Sequence, residues 1–121
     1  MGIPIGYIDI DRPRTIKYSY TSMLMAQELT GKTALQIVTA SSMFDLDVIA
    51  KLLCVGSMHE DKDMTVKKAI AIIEEKMESD LGIIVKIAKV VTDIFTETTG
   101  AFLKSEEVTD PNAKTAANNG T

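Results

Sequence analysis

The sequence predicts a mainly α protein: a small bundle of about five helices, an N-terminal β-hairpin or ribbon, and a disordered C-terminal tail. Three observations predict it. Between Tyr7 and Tyr20 apolar and polar residues alternate, the period of half-buried strands. From Thr21 to Leu103 apolar residues recur at helical spacing, with cap residues ahead of each run. From Lys104 onward sizeable apolar residues nearly vanish. At 121 residues the chain has the size of one domain. It divides into a helical domain with its hairpin, residues 1–103, and a tail, residues 104–121.

Ile8 and Ile10 alternate with Asp9 and Asp11, and Ile16, Tyr18 and Tyr20 with Thr15, Lys17 and Ser19. Arg12-Pro13-Arg14 breaks the pattern between them, as a hairpin turn would. Two strands are marginal alone, so they must pack on helices or on another chain. Thr21 or Ser22 can cap a short helix running to Leu29, with Gly31 as its stop. A second short helix spans about Thr33 to Ser41. Asp45 is a strong N-cap for a helix from Leu46 to about Ser57, with Phe44 and Ile49 placed as a hydrophobic staple. His59 to Asp63 reads as a polar loop. Thr65 caps the next helix, which runs to about Glu78, with Met64 and Ala69 as a weaker staple. Ser79-Asp80 caps the last one, Leu81 to about Leu103, with a possible kink site at Thr98-Thr99-Gly100. In the tail only Val108 is a sizeable apolar residue, too little to offset the entropy of ordering.

Helical projection at ~100° per residue sorts the faces. In the Thr65 helix, Val66, Ala69, Ile70, Ile73 and Met77 share one side, with Ile72 at its margin. The Leu46 helix is apolar nearly all round, with a polar strip at Asp47 and Lys51; it should be central and buried. The last helix has an apolar arc of roughly 220°, where one-sided packing needs ~100°. Ile84, Ile87, Ala88, Val91, Ile94 and Phe95 fill its middle, Ile83 and Val90 one margin, Val85 the other. Either this helix packs between two neighbours or one margin meets another protein. Ile83, Val85, Val90, Ile94 and Phe102 are the candidate protein-binding residues.

Composition narrows the functions. There are 17 acidic and 13 basic residues, for a net charge of −4. Nucleic-acid binding through phosphates normally needs a basic surplus. No stretch of ~20 apolar residues is present to span a membrane, and the first ten residues do not form a signal peptide. His59-Glu60-Asp61-Lys62-Asp63 is neither a zinc motif nor a calcium loop. Cys54, the single cysteine, sits on the most apolar helix, where a buried inert thiol is expected, in keeping with a reducing compartment. Gly31-Lys32-Thr33 lacks the glycine pattern of a phosphate-binding loop. These residues predict no enzyme, no cofactor and no metal, and leave a small acidic interaction protein.

Leu46-Asp47-Val48-Ile49-Ala50-Lys51-Leu52-Leu53, Gly56-Ser57-Met58-His59-Glu60-Asp61 and Met64-Thr65-Val66-Lys67-Lys68-Ala69, with Gln27-Glu28-Leu29-Thr30-Gly31-Lys32 before them, resemble the tail assembly chaperones of long-tailed bacteriophages. The resemblance covers about residues 7–103. It implies a protein that binds the long helical tape measure protein and keeps it soluble until tail tube subunits polymerise around it. It also implies action in the host cytoplasm, absence from the mature virion, and contact with the tail tube protein through a frameshifted longer form. A homo-oligomer is a further expectation. The alternatives are a head-to-tail connector or other small virion structural protein, and a small regulatory subunit or inhibitor.

Overall fold

The structure, a computed structural model, describes the backbone of residues 2–109, 116–117 and 119–120, and the side chains of residues 2–104. Strand β1 (Ile5–Asp9) pairs antiparallel with β2 (Pro13–Lys17), Gly6 opposite Ile16 and Tyr7 opposite Thr15. The hairpin is therefore present, but its turn is Ile10 to Arg12 and not Arg12 to Arg14. The cause is electrostatic. The Asp11 carboxylate accepts from the Arg12 backbone N–H at 3.0 Å and from Arg14 Nε and Nη2 at 2.7 and 2.8 Å. That fork-to-fork pair closes the turn and lets Arg14 face inward, buried.

Five helices follow. Helix α1 (Tyr20–Thr30) starts at Tyr20 because Ser19 Oγ takes the Ser22 N–H at 3.2 Å. The cap is thus Ser19, not Thr21 or Ser22, and Tyr20 belongs to the helix instead of a strand. Gly31, at φ 68°, ends it. Helix α2 (Ala34–Ser42) opens with a capping box between Thr33 and Gln36. Helix α3 (Leu46–Ser57) is capped by Asp45, whose carboxylate accepts from the Asp47 and Val48 N–H groups. Helix α4 (Val66–Met77) is capped by Thr65. Helix α5 (Ile83–Thr109) begins after a turn in which Asp80 accepts from the Gly82 N–H at 3.2 Å. It runs past Leu103 to Thr109, so the first residues expected in the tail are helical. Beyond it only the two-residue strands Ala116–Ala117 and Asn119–Gly120 are described; the rest of the expected disordered tail lies outside the described residues.

Helix α3 is the hub. It touches α1, α2, α4, α5 and β2, and Val48, Ile49, Leu52, Leu53 and Val55 are fully buried. Gly56 allows β2 to close on it: a Cβ there would stand 2.8 Å from Ile16 Cγ2. Tyr18, on the chain leaving β2, donates its hydroxyl to the Leu52 carbonyl at 2.8 Å and meets Phe95 edge-to-face at 5.1 Å. Burial pushes the Tyr18 phenol well above its usual range, so it stays a neutral donor. Helix α4 sits slightly rotated from the expected face. Ile72 turns toward the hairpin tip, where it borders a cleft with Ile10, and Ile70 is left exposed.

Candidate protein-binding surface

The wide apolar arc of α5 is divided among neighbours within the chain. Helices α2, α3 and α4 and both strands contact it. Ile83 is 1% exposed and Ile94 7%, and Val90 is half-buried against the core. The backbone of Gly6 covers Val90 and Ile94. Three of the five candidate binding residues are therefore packing residues in the folded chain. On one margin of the arc the hairpin covers Val90 and Ile83 is buried; on the other Val85 is left open. Val85 and Phe102 remain open, at 61% and 40%. They do not form one site. Phe102 lies beside Tyr20 of α1, ring centroids 6.1 Å apart, whereas Val85 is near the start of α5.

Val85 belongs instead with a residue that the pattern reading used only as a staple. Phe44 lies between α2 and α3. Its N–H donates to the Ser41 carbonyl and the Asp45 N–H to the Ala40 carbonyl, both at 3.0 Å. This is the paired bonding of a Schellman helix end, in which the reversing residue adopts a left-handed backbone. Phe44 does so, at φ 63°, where glycine is the usual occupant and a side chain costs roughly 1–2 kcal/mol. Its half-exposed ring and Val85 border one cleft of about 240 Å³, with Ser41, Ser42, Ala88, Lys89, Thr92 and Asp93. Met43 and Leu46, on either side in sequence, are also exposed. The sequence signal was the absence of a glycine between two closely spaced helices.

The polar loop after α3 has a structural task. His59 Nε2 is hydrogen-bonded to Thr15 Oγ1 at 2.7 Å, and the Glu60 carboxylate accepts the Thr15 N–H at 3.1 Å. Hydrogen bonding from Thr15 holds the Glu60 carboxyl below its usual range. Asp61 lies 3.9 Å from Arg14 Nη1 and 4.0 Å from Arg12. The loop is solvent-exposed, as expected, and is also tied to β2. Cys54 is buried and its thiol pKa raised by burial, so thiolate formation is disfavoured. Among the described residues no cluster of His, Cys, Asp or Glu is arranged to hold a metal, and no helix is long and apolar enough to cross a membrane. Protein-family models, curated proteins and solved structures give no match to this chain.

Proposed function

We propose that the protein is a tail assembly chaperone of a long-tailed phage or prophage. It binds the tape measure protein and keeps it soluble in the host cytoplasm while tail tube subunits polymerise around it. It then leaves, so it is not part of the mature virion. The motifs in residues 27–69 resemble those of the family, and the observation that carries the reading is the Phe44–Val85 cleft. A strained aromatic residue is held half-exposed beside an exposed valine, between the end of α2 and the start of α5. Strained backbone persists where the surroundings enforce it, and it clusters at binding sites. An apolar stripe of a client helix can lie across Phe44 and Val85, helix in groove.

The role needs no catalytic step and no cofactor. The net charge of −4 favours a soluble coated complex. A weak contact repeated along a long client suits reversible binding better than one tight contact. Recruitment of the tail tube protein would fall to a frameshifted longer form.

Co-expression with the tape measure protein from the same genome tests the reading: the client should move to the soluble fraction and co-purify. If the client stays insoluble and the protein is found in finished virions, the chaperone reading fails and the head-to-tail connector takes its place.

A further inference from the structure

The two edges of the hairpin are treated differently. On β2 the Thr15 N–H points away from β1 and is taken by Glu60, and His59 holds the Thr15 hydroxyl. One edge is therefore covered by the α3–α4 loop. Because the Thr15 N–H faces outward, the opposed pair Tyr7–Thr15 is a non-hydrogen-bonded pair of the ladder. Such pairs alternate with bonded ones. Gly6–Ile16 and Ile8–Arg14 carry the bonds between the strands, while the backbone groups of Ile5, Tyr7 and Asp9 point to the outer edge of β1.

Nothing covers that edge among the described residues. The sheet has two strands, and the backbones of Ile5, Tyr7 and Asp9 make no hydrogen bond outside the hairpin. Of the usual protections the strand carries one, the charge of Asp9 at its end; it has no lysine, no internal proline and no bulge. Its outward side chains are apolar at two of three positions, Ile5 and Tyr7, with Tyr7 74% exposed and Ile3 exposed just before them.

We infer that β1 is a self-association edge, and that its occupant is β1 of a second copy, antiparallel about a twofold axis through Tyr7. The register is self-complementary. Tyr7 opposes Tyr7 of the partner copy, Ile5 opposes Asp9 and Asp9 opposes Ile5. All three outward-facing residues then meet outward-facing residues as hydrogen-bonded pairs, each exchanging two backbone bonds. No like charges oppose one another. The two-stranded ribbon becomes a four-stranded sheet, which passes the size at which sheets gain stability of their own. The Tyr7 rings form an aromatic cross-strand pair at the centre. The contact is isologous and closed, so it yields a dimer and not a filament. It does not depend on the chaperone reading, because no client takes part.

The full-length protein is compared with Tyr7→Lys and Tyr7→Pro by sedimentation velocity, from micromolar to millimolar concentration. The unmodified protein should pass from monomer to twice the monomer mass. Tyr7→Lys places two ammonium groups opposite each other, and Tyr7→Pro removes an outward N–H without removing a bond between β1 and β2. Each should weaken dimerisation at least about tenfold, or about 1.4 kcal/mol, with an unchanged far-ultraviolet circular dichroism spectrum. Phe102→Asp, on the other apolar edge of the molecule, should dimerise like the unmodified protein. If Tyr7→Pro loses its fold, Tyr7→Lys decides. A monomer at every concentration overturns the inference, whether or not a foreign extended peptide pairs with the edge. So does a Tyr7→Lys protein that dimerises unchanged, or a dimer abolished by Phe102→Asp alone.

Discussion

The backbone of Gly6 lies directly on the side chain of Ile94: a Cβ added at Gly6 would stand 2.7 Å from Ile94 Cγ1 and 2.9 Å from Val90 Cγ1. Those distances are well inside ordinary contact, and the atoms it would meet are branched stems rather than flexible tips. Gly6 is what lets β1 settle on α5 and cover the margin that Val90 and Ile94 would otherwise expose. Gly6→Ala should cost about 1–3 kcal/mol by overpacking, read as a lower urea midpoint. Ile94→Ala introduced beside it should recover part of that loss. Additive costs in the double-mutant cycle would show that the two positions do not compete for the same space.

Phe44 offers a separation of backbone strain from side-chain loss. Phe44→Ala and Phe44→Gly both remove the ring. Only glycine is free of the left-handed penalty at φ 63°. Phe44→Gly should be more stable than Phe44→Ala by about 1 kcal/mol, the reverse of the order in a helix interior. Thermal or urea unfolding of the pair measures it; the ordinary order would mean that residue 44 is not left-handed.

Arg14 and Asp11 set an acid dependence. The hydrogen bond from Arg14, with its charge, lowers the Asp11 carboxyl below its usual 3.8. The folded state then binds protons less readily than the unfolded state. The stabilisation is present above pH ~4 and is lost as pH falls through the lowered folded value. Asp11→Asn should cost about 1–2 kcal/mol at pH 7, because Arg14 stays buried with a weaker partner while position 11 remains partly solvated. It should also flatten the loss of stability below pH 4. Equal acid sensitivity in variant and parent would assign that sensitivity to other carboxylates.

The helix faces predict opposite outcomes two residues apart. Leu53 is fully buried at the hub of α3, so Leu53→Asp buries an unpaired carboxylate. That costs several kcal/mol out of a total of about 5–15, and the protein should unfold. Lys51 pairs with Asp47 at 2.8 Å on the polar strip. Lys51→Asp replaces an attraction at helical spacing with a repulsion, worth about 1 kcal/mol or less. Circular dichroism distinguishes the two.

The local rules read well where one residue decides the outcome. Asp45 and Thr65 begin helices at the expected positions because a single carboxylate or hydroxyl satisfies the first free N–H groups. Leu46 to Ser57 was legible as the hub because its apolar residues leave only a narrow polar strip at Asp47 and Lys51. The hairpin register was not. Its turn is decided by the Asp11–Arg14 fork and its seat by Gly6, neither of which alternation detects. Ser19 read as a strand residue and Thr21 or Ser22 as the cap of α1, because alternation does not show which hydroxyl takes the Ser22 N–H. The candidate binding surface was half legible. The apolar residues of α5 were legible, but periodicity does not say which neighbour covers which margin. Ile83, Val90 and Ile94 went to the core, Val85 stayed open, and its companion Phe44 came from a helix end made without glycine.

The central claim is that the Phe44–Val85 cleft receives an apolar client helix. It is tested most directly by measuring the soluble fraction of the co-expressed tape measure protein beside the parent protein and beside a Phe44→Ser, Val85→Glu variant. The variant's fold is checked first by its melting curve. The parent should bring the client into the soluble fraction and co-purify with it. The folded variant should lose that rescue, because its new carboxylate would have to be desolvated against an apolar helix, at a cost of several kcal/mol. A folded variant that rescues as well as the parent would contradict the cleft, and a parent that never holds the client in solution would contradict the chaperone function itself.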